Sequence, residues 1–93
     1  MELIKINVLI NKYDGIVDNH SDLEYSLGRY GIKSKQIFLN VDIIRSVSTI
    51  KVCKEYYEPH EELGKYFTVE CTDSTVYYLP EAQFSKFEKF IAE

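Results

Sequence analysis

Glycine-rich loops, histidine pairs and closely spaced cysteines are all missing from this chain of 93 residues. The four glycines are Gly15, Gly28, Gly31 and Gly64. They stand apart, so no backbone cradle for a phosphate is present. The only histidines are His20 and His60, and the only cysteines Cys53 and Cys71. A zinc site needs such ligands in tight pairs, and none occurs, so neither a metal nor a cofactor is expected. Two cysteines exclude a disulfide scaffold. A catalytic thiol would need a histidine base and an orienting group. Cys53 and Cys71 instead fall inside strand-like stretches, where packing is the simpler role. No apolar run approaches the roughly 18 residues of a membrane span. The opening Met1-Glu2-Leu3-Ile4-Lys5 has no basic region followed by a long apolar one, so a cytoplasmic location is expected. A basic excess is absent too. Fifteen acids against eleven Lys and Arg give a net charge of −4, which argues against direct nucleic-acid binding.

What is present is a folding sequence. Hydrophobic residues make up 45% and aromatics 14%, ample for one core and, at this length, for only one. Residues 1–93 therefore read as a single domain.

The pattern of that domain is α+β. Ile4, Ile6, Val8 and Ile10 alternate with polar neighbours, giving a strand over 2–12 that Asp14-Gly15 turns. Ser21-Asp22-Leu23-Glu24 has the capping-box pattern, and Leu23, Leu27 and Tyr30 share a helical face. A short helix near 22–30 is expected, closed by Gly31. Ile37-Phe38-Leu39 is a second strand, and Asn40-Val41-Asp42 a turn. The β-branched run from Ile43 to Lys54 predicts a long strand. Lys65–Thr72 and Thr75–Leu79 predict a hairpin around Asp73-Ser74. After Pro80, Phe84, Phe87, Phe90 and Ile91 mark an amphipathic helix over 81–92. The resulting architecture is an antiparallel sheet of about five strands with both helices on one face. If Lys54 pairs near Lys65, Cys53 faces Tyr66 and Cys71 faces Ser48. The thiols are then too far apart to bond.

One segment concentrates side-chain chemistry. Glu55, Tyr56, Tyr57, Glu58, His60, Glu61 and Glu62 fall within eight residues interrupted only by Pro59. Tyrosine brings a large rigid contact area with a polar tip. Carboxylates around it suit an Arg- or Lys-rich surface. The segment reads either as a partner-binding loop or as a solvated loop whose tyrosines cover a sheet edge.

Leu39-Asn40, Asp42-Ile43-Ile44, Phe67-Thr68-Val69, Thr72-Asp73-Ser74, Val76-Tyr77-Tyr78-Leu79 and Glu81 together resemble the flagellar FlbD-like family and related phage-borne small proteins. The resemblance covers about half the chain. It departs at Val41, where such sequences usually carry Pro, and at Ser74, where they carry Gly. It implies a strand, hairpin and helix, and no activity.

Two functions of different class remain. One is a small acidic, non-enzymatic interaction protein that binds a host protein with a basic patch and inhibits or regulates it. Phage anti-defence proteins, anti-CRISPR inhibitors among them, share this general character. The abundance of Lys, Ile and Tyr, whose codons are AT-rich, suits an AT-rich bacterium or its phage as the source. The other is a small enzyme or nucleotide-binding module with an unrecognised site. A deep polar pocket would favour the second, a flat acidic-aromatic surface the first. The oligomeric state is left open, with a homodimer allowed.

Overall fold

The computed structural model describes residues 2–11, 13–23, 33–52 and 65–90. The alternation at the N-terminus becomes β1 (Leu3–Leu9), with Ile6 and Val8 fully buried. Its antiparallel partner is β2 (Ser34–Asn40), with Ile6 opposite Ile37 and Leu3 opposite Asn40. Asn40 ends β2. Its side chain accepts the Asp42 N–H at 3.0 Å, and one 3₁₀ turn, Val41–Ile43, redirects the chain.

The second sheet comprises β3 (Ile44–Val47), β4 (Lys51–Val52), β5 (Lys65–Cys71) and β6 (Val76–Pro80). β6 occupies one side of β5 from Tyr66 to Glu70, and β3 and β4 lie end to end along the other. Among the described residues the protein is thus mixed, with antiparallel sheets and little helix. Its strands form two sheets, of two and four strands, instead of one sheet of about five. β1 runs beside β6 without pairing with it.

The long strand expected from Ile43 to Lys54 is broken. A bulge falls between Ile44 and Ser46. The Ser48 hydroxyl then accepts the Thr68 N–H at 2.9 Å, in place of a carbonyl, while Ser48 donates its own N–H to the Thr68 carbonyl at 2.9 Å. A hydroxyl this near the backbone competes with the ladder. The register moves accordingly. Cys71 faces Ile44, not Ser48, and Tyr66 faces Lys51, not Cys53. Cys71 is a buried free thiol. Cys53 lies outside the described residues.

The β5–β6 hairpin closes through Thr72, Asp73 and Ser74. The Cys71 carbonyl accepts the Ser74 N–H at 3.0 Å, and Cys71 donates to the Thr75 carbonyl at 2.8 Å. Ser74 takes the left-handed position at φ 72°. This is the turn-plus-bulge form common in three-residue hairpin loops, where glycine usually sits.

Helical structure differs most from expectation. Residues 20–23 are helical, and the cap is Asn19, whose side chain accepts the Asp22 N–H at 2.8 Å, not Ser21. The rest of the expected helix, to Tyr30, lies outside the described residues. The C-terminal element, Glu81–Phe90, is a 3₁₀ helix, not an α-helix. Side chains three apart eclipse in a 3₁₀ helix. Phe84, Phe87 and Phe90 therefore form one row, and Gln83 and Lys86 a second.

The phenylalanine row meets the core. Phe67, fully buried, stacks edge-on against Phe84 at 5.1 Å and Phe87 at 5.5 Å between ring centroids. Ile6, Val8, Leu39, Val69, Cys71 and Leu79 complete this cluster. A second cluster joins Leu9, Val17, Leu23 and Tyr66. Tyr66 and Phe67 are consecutive in β5 and point to opposite faces. The two helical segments therefore pack on opposite faces of β5, not on one.

The second row grips β1. Asn7 donates its N–H to the buried Gln83 side chain at 3.1 Å, and Lys86 donates to the Lys5 carbonyl at 2.8 Å. Phe87→Ala should lower unfolding free energy by about 3–5 kcal/mol. Gln83→Leu, which leaves the Asn7 N–H unanswered, should cost about 1–3 kcal/mol. Urea denaturation followed by circular dichroism measures both. A Gln83→Leu midpoint equal to that of the native chain would refute the clamp.

Candidate interaction surface

All seven residues expected to bind a partner, Glu55, Tyr56, Tyr57, Glu58, His60, Glu61 and Glu62, lie outside the described residues. The frame that carries them does not. Val52 pairs with Lys65, and Lys51 with Tyr66. The residues that flank 53–64 therefore lie on neighbouring, paired strands. Tyr66 is buried, which fixes the returning strand. Val52 keeps 51% of its surface exposed at the point of departure.

At the other end of β5 lies a small polar group. Arg45 reaches Glu70 at 3.3 Å, with both side chains well exposed, so the pair contributes only about 0–1 kcal/mol. The Asp73 side chain accepts the Thr75 N–H at 3.0 Å, and hydrogen bonding to Thr75 lowers its pKa. Burial raises the Cys71 pKa, and the charges of Asp73 and Glu70 raise it further. A thiol so placed stays protonated and packed. That is the opposite of what a nucleophile needs. His20 is exposed at the start of the short helix. Among the described residues, no three His, Cys, Asp or Glu side chains converge as metal ligands would.

The outer face of β1 and β2 is a surface that composition did not single out. Leu3 is 54% exposed and Phe38 64% exposed. The Lys5 ammonium sits 5.8 Å from the centre of the Phe38 ring. The signal was in the sequence. Ile37-Phe38-Leu39 puts three apolar residues in a row on a two-faced strand. With Ile37 and Leu39 turned to the core, Phe38 must face out.

A second exposed aromatic is Tyr13. It stands on a turn in which the Asn11 side chain accepts the N–H groups of Tyr13 at 2.9 Å and Gly15 at 3.0 Å. The left-handed residue of that turn is Asp14, φ 63°, not the glycine. A Cβ at position 15 would stand 3.2 Å from the Asn11 side-chain nitrogen, a tight contact to which Asn11 would have to yield slightly.

No family model matches the chain, and neither does any curated protein or solved structure.

The buried Cys71 and the half-buried Tyr77 and Tyr78 give a testable pH dependence. Burial is the largest cause of the raised pKa at Cys71, Tyr77 and Tyr78; at Tyr78 the charge of Asp18 adds to it. All three favour the neutral form in the folded state. The unfolded chain gives up these protons first as pH rises, from 9.0 for the thiol and 10.0 for the phenols. Their stabilisation is complete below those values and is lost above them. The urea midpoint should be flat between about pH 7 and 8 and should fall above about pH 9. A midpoint that rises with pH in that upper range would contradict this.

Proposed function

We propose that this protein is a small acidic, non-enzymatic interaction module. It binds a host protein that carries a basic patch, and inhibits or regulates it, as phage-borne anti-defence proteins do. The observation that carries this reading is the tethering of residues 53–64 at both ends by the pairs Lys51–Tyr66 and Val52–Lys65. Four glutamates and two tyrosines fall between those anchors. A segment held by adjacent strands loses less entropy on docking than a free tail of the same composition. Its carboxylates suit Arg and Lys donors, and its tyrosines suit a central contact. The weak FlbD-like pattern in the hairpin and C-terminal region agrees with a phage-borne source and assigns no activity.

The partner is sought by capture on the immobilised protein from bacterial lysate, followed by mass spectrometry and a binding assay on the purified hit. Tyr57→Ala should weaken binding by roughly 1–3 kcal/mol. Reversing Glu61 and Glu62 to Lys should chiefly slow association and flatten its salt dependence. Melting temperatures should stay close to that of the native chain. Unchanged affinity in both variants would move the interface away from this segment.

A further inference from the structure

The hydrogen bonds flanking β1 and β2 fix which backbone groups each strand offers outward. Val41 donates to the Glu2 carbonyl at 3.0 Å, and Ile10 to the Lys33 carbonyl at 3.0 Å. The pairs that exchange hydrogen bonds between them are therefore Ile4–Leu39, Ile6–Ile37 and Val8–Lys35. Lys5, Asn7 and Leu9 turn their N–H and carbonyl groups away from β2. Ser34, Gln36, Phe38 and Asn40 turn theirs away from β1.

The two edges then differ sharply. On β1, Lys86 takes the Lys5 carbonyl, Gln83 takes the Asn7 N–H, and Val17 takes the Leu9 carbonyl at 3.0 Å. Three of the outward groups on that edge are thus taken. On β2, no described residue bonds to the outward groups of Ser34, Gln36 and Phe38, and Ser34, Lys35, Gln36 and Phe38 are exposed. β2 is seven residues long, unbulged in its pairing and free of proline. β3, by contrast, is short, bulged and carries Arg45. Natural edge strands are usually interrupted or covered, and among the described residues β2 is neither.

We propose that the β2 edge is the interface at which two copies of this chain join, antiparallel, into a four-stranded sheet. The charges along the strand select this occupant and this direction. Its first end carries Lys33 and Lys35. Its far end carries Asp42 and, one strand in, Glu2, which is held beside Val41. An antiparallel pair sets each basic end against an acidic one. A parallel pair would set like against like. With the two-fold axis at Ile37, Phe38 stands opposite Gln36 of the second copy and within diagonal reach of its Phe38. The pairing also covers a two-stranded ribbon, the least self-sufficient of sheets.

Sedimentation equilibrium tests this on the whole chain. The native protein should be a dimer at about 0.1 mM. Gln36→Pro removes an N–H that β1 does not use, so the fold should persist while the dissociation constant rises by about tenfold or more. Phe38→Lys, which adds a charge on the exposed edge, should act in the same direction, and circular dichroism confirms that each variant is folded. A native protein that is monomeric at that concentration would overturn the proposal. So would a dimer undiminished in whichever of the two variants remains folded.

Discussion

Three residues of a 3₁₀ helix rise about 6 Å, and two residues of a strand advance about 6.6 Å. Gln83 and Lys86 use that near-equality. Side chains three apart on the helix reach backbone groups two apart on β1, at Asn7 and Lys5. An α-helix would rise only about 4.5 Å over the same three residues and would turn the second side chain off the row. The same periodicity brings Phe84, Phe87 and Phe90 into line above Phe67. One tight helix thus serves the core with one row and the sheet edge with the next. The two sheets are joined along this seam, where no strand ladder exists between β1 and β6.

β5 is the other organising element. It takes β6 on one side and the broken β3–β4 strand on the other; one face is buried at Phe67, Val69 and Cys71, and the other at Tyr66. Phe67, Val69 and Cys71 face the main cluster, while Tyr66 faces the smaller one with Leu9, Val17 and Leu23. This gives the returning end of residues 53–64 a rigid mount.

Much of this was legible in the residues. The alternation at Ile4, Ile6 and Val8, the hairpin at Asp73-Ser74 and the apolar stripe after Pro80 all located elements correctly. Single side chains that compete with the backbone were not legible. Ser48 breaks a β-branched run that propensity reads as continuous, because its hydroxyl replaces a ladder acceptor. Asn19 captures a cap that Ser21 fitted equally well on paper. Spacings of three in Phe84, Phe87 and Phe90 serve either helix type, and only the docking onto β1 distinguishes them. For the candidate site, the sequence offered composition. The outward Phe38 was encoded by parity alone, which becomes readable once the neighbours' faces are assigned.

Two of the three bonds along the β1 edge span 76 and 81 residues of chain. During synthesis, β1 and β2 leave the ribosome long before Gln83 and Lys86. Through that interval the nascent hairpin lacks two of the bonds on its β1 edge, and its core face waits for Phe67 and Phe87. Contacts this distant in sequence form late and slowly. The stage most exposed to mispairing is therefore the half-made chain, and completion of its final ten-residue helix is the step that ends that exposure.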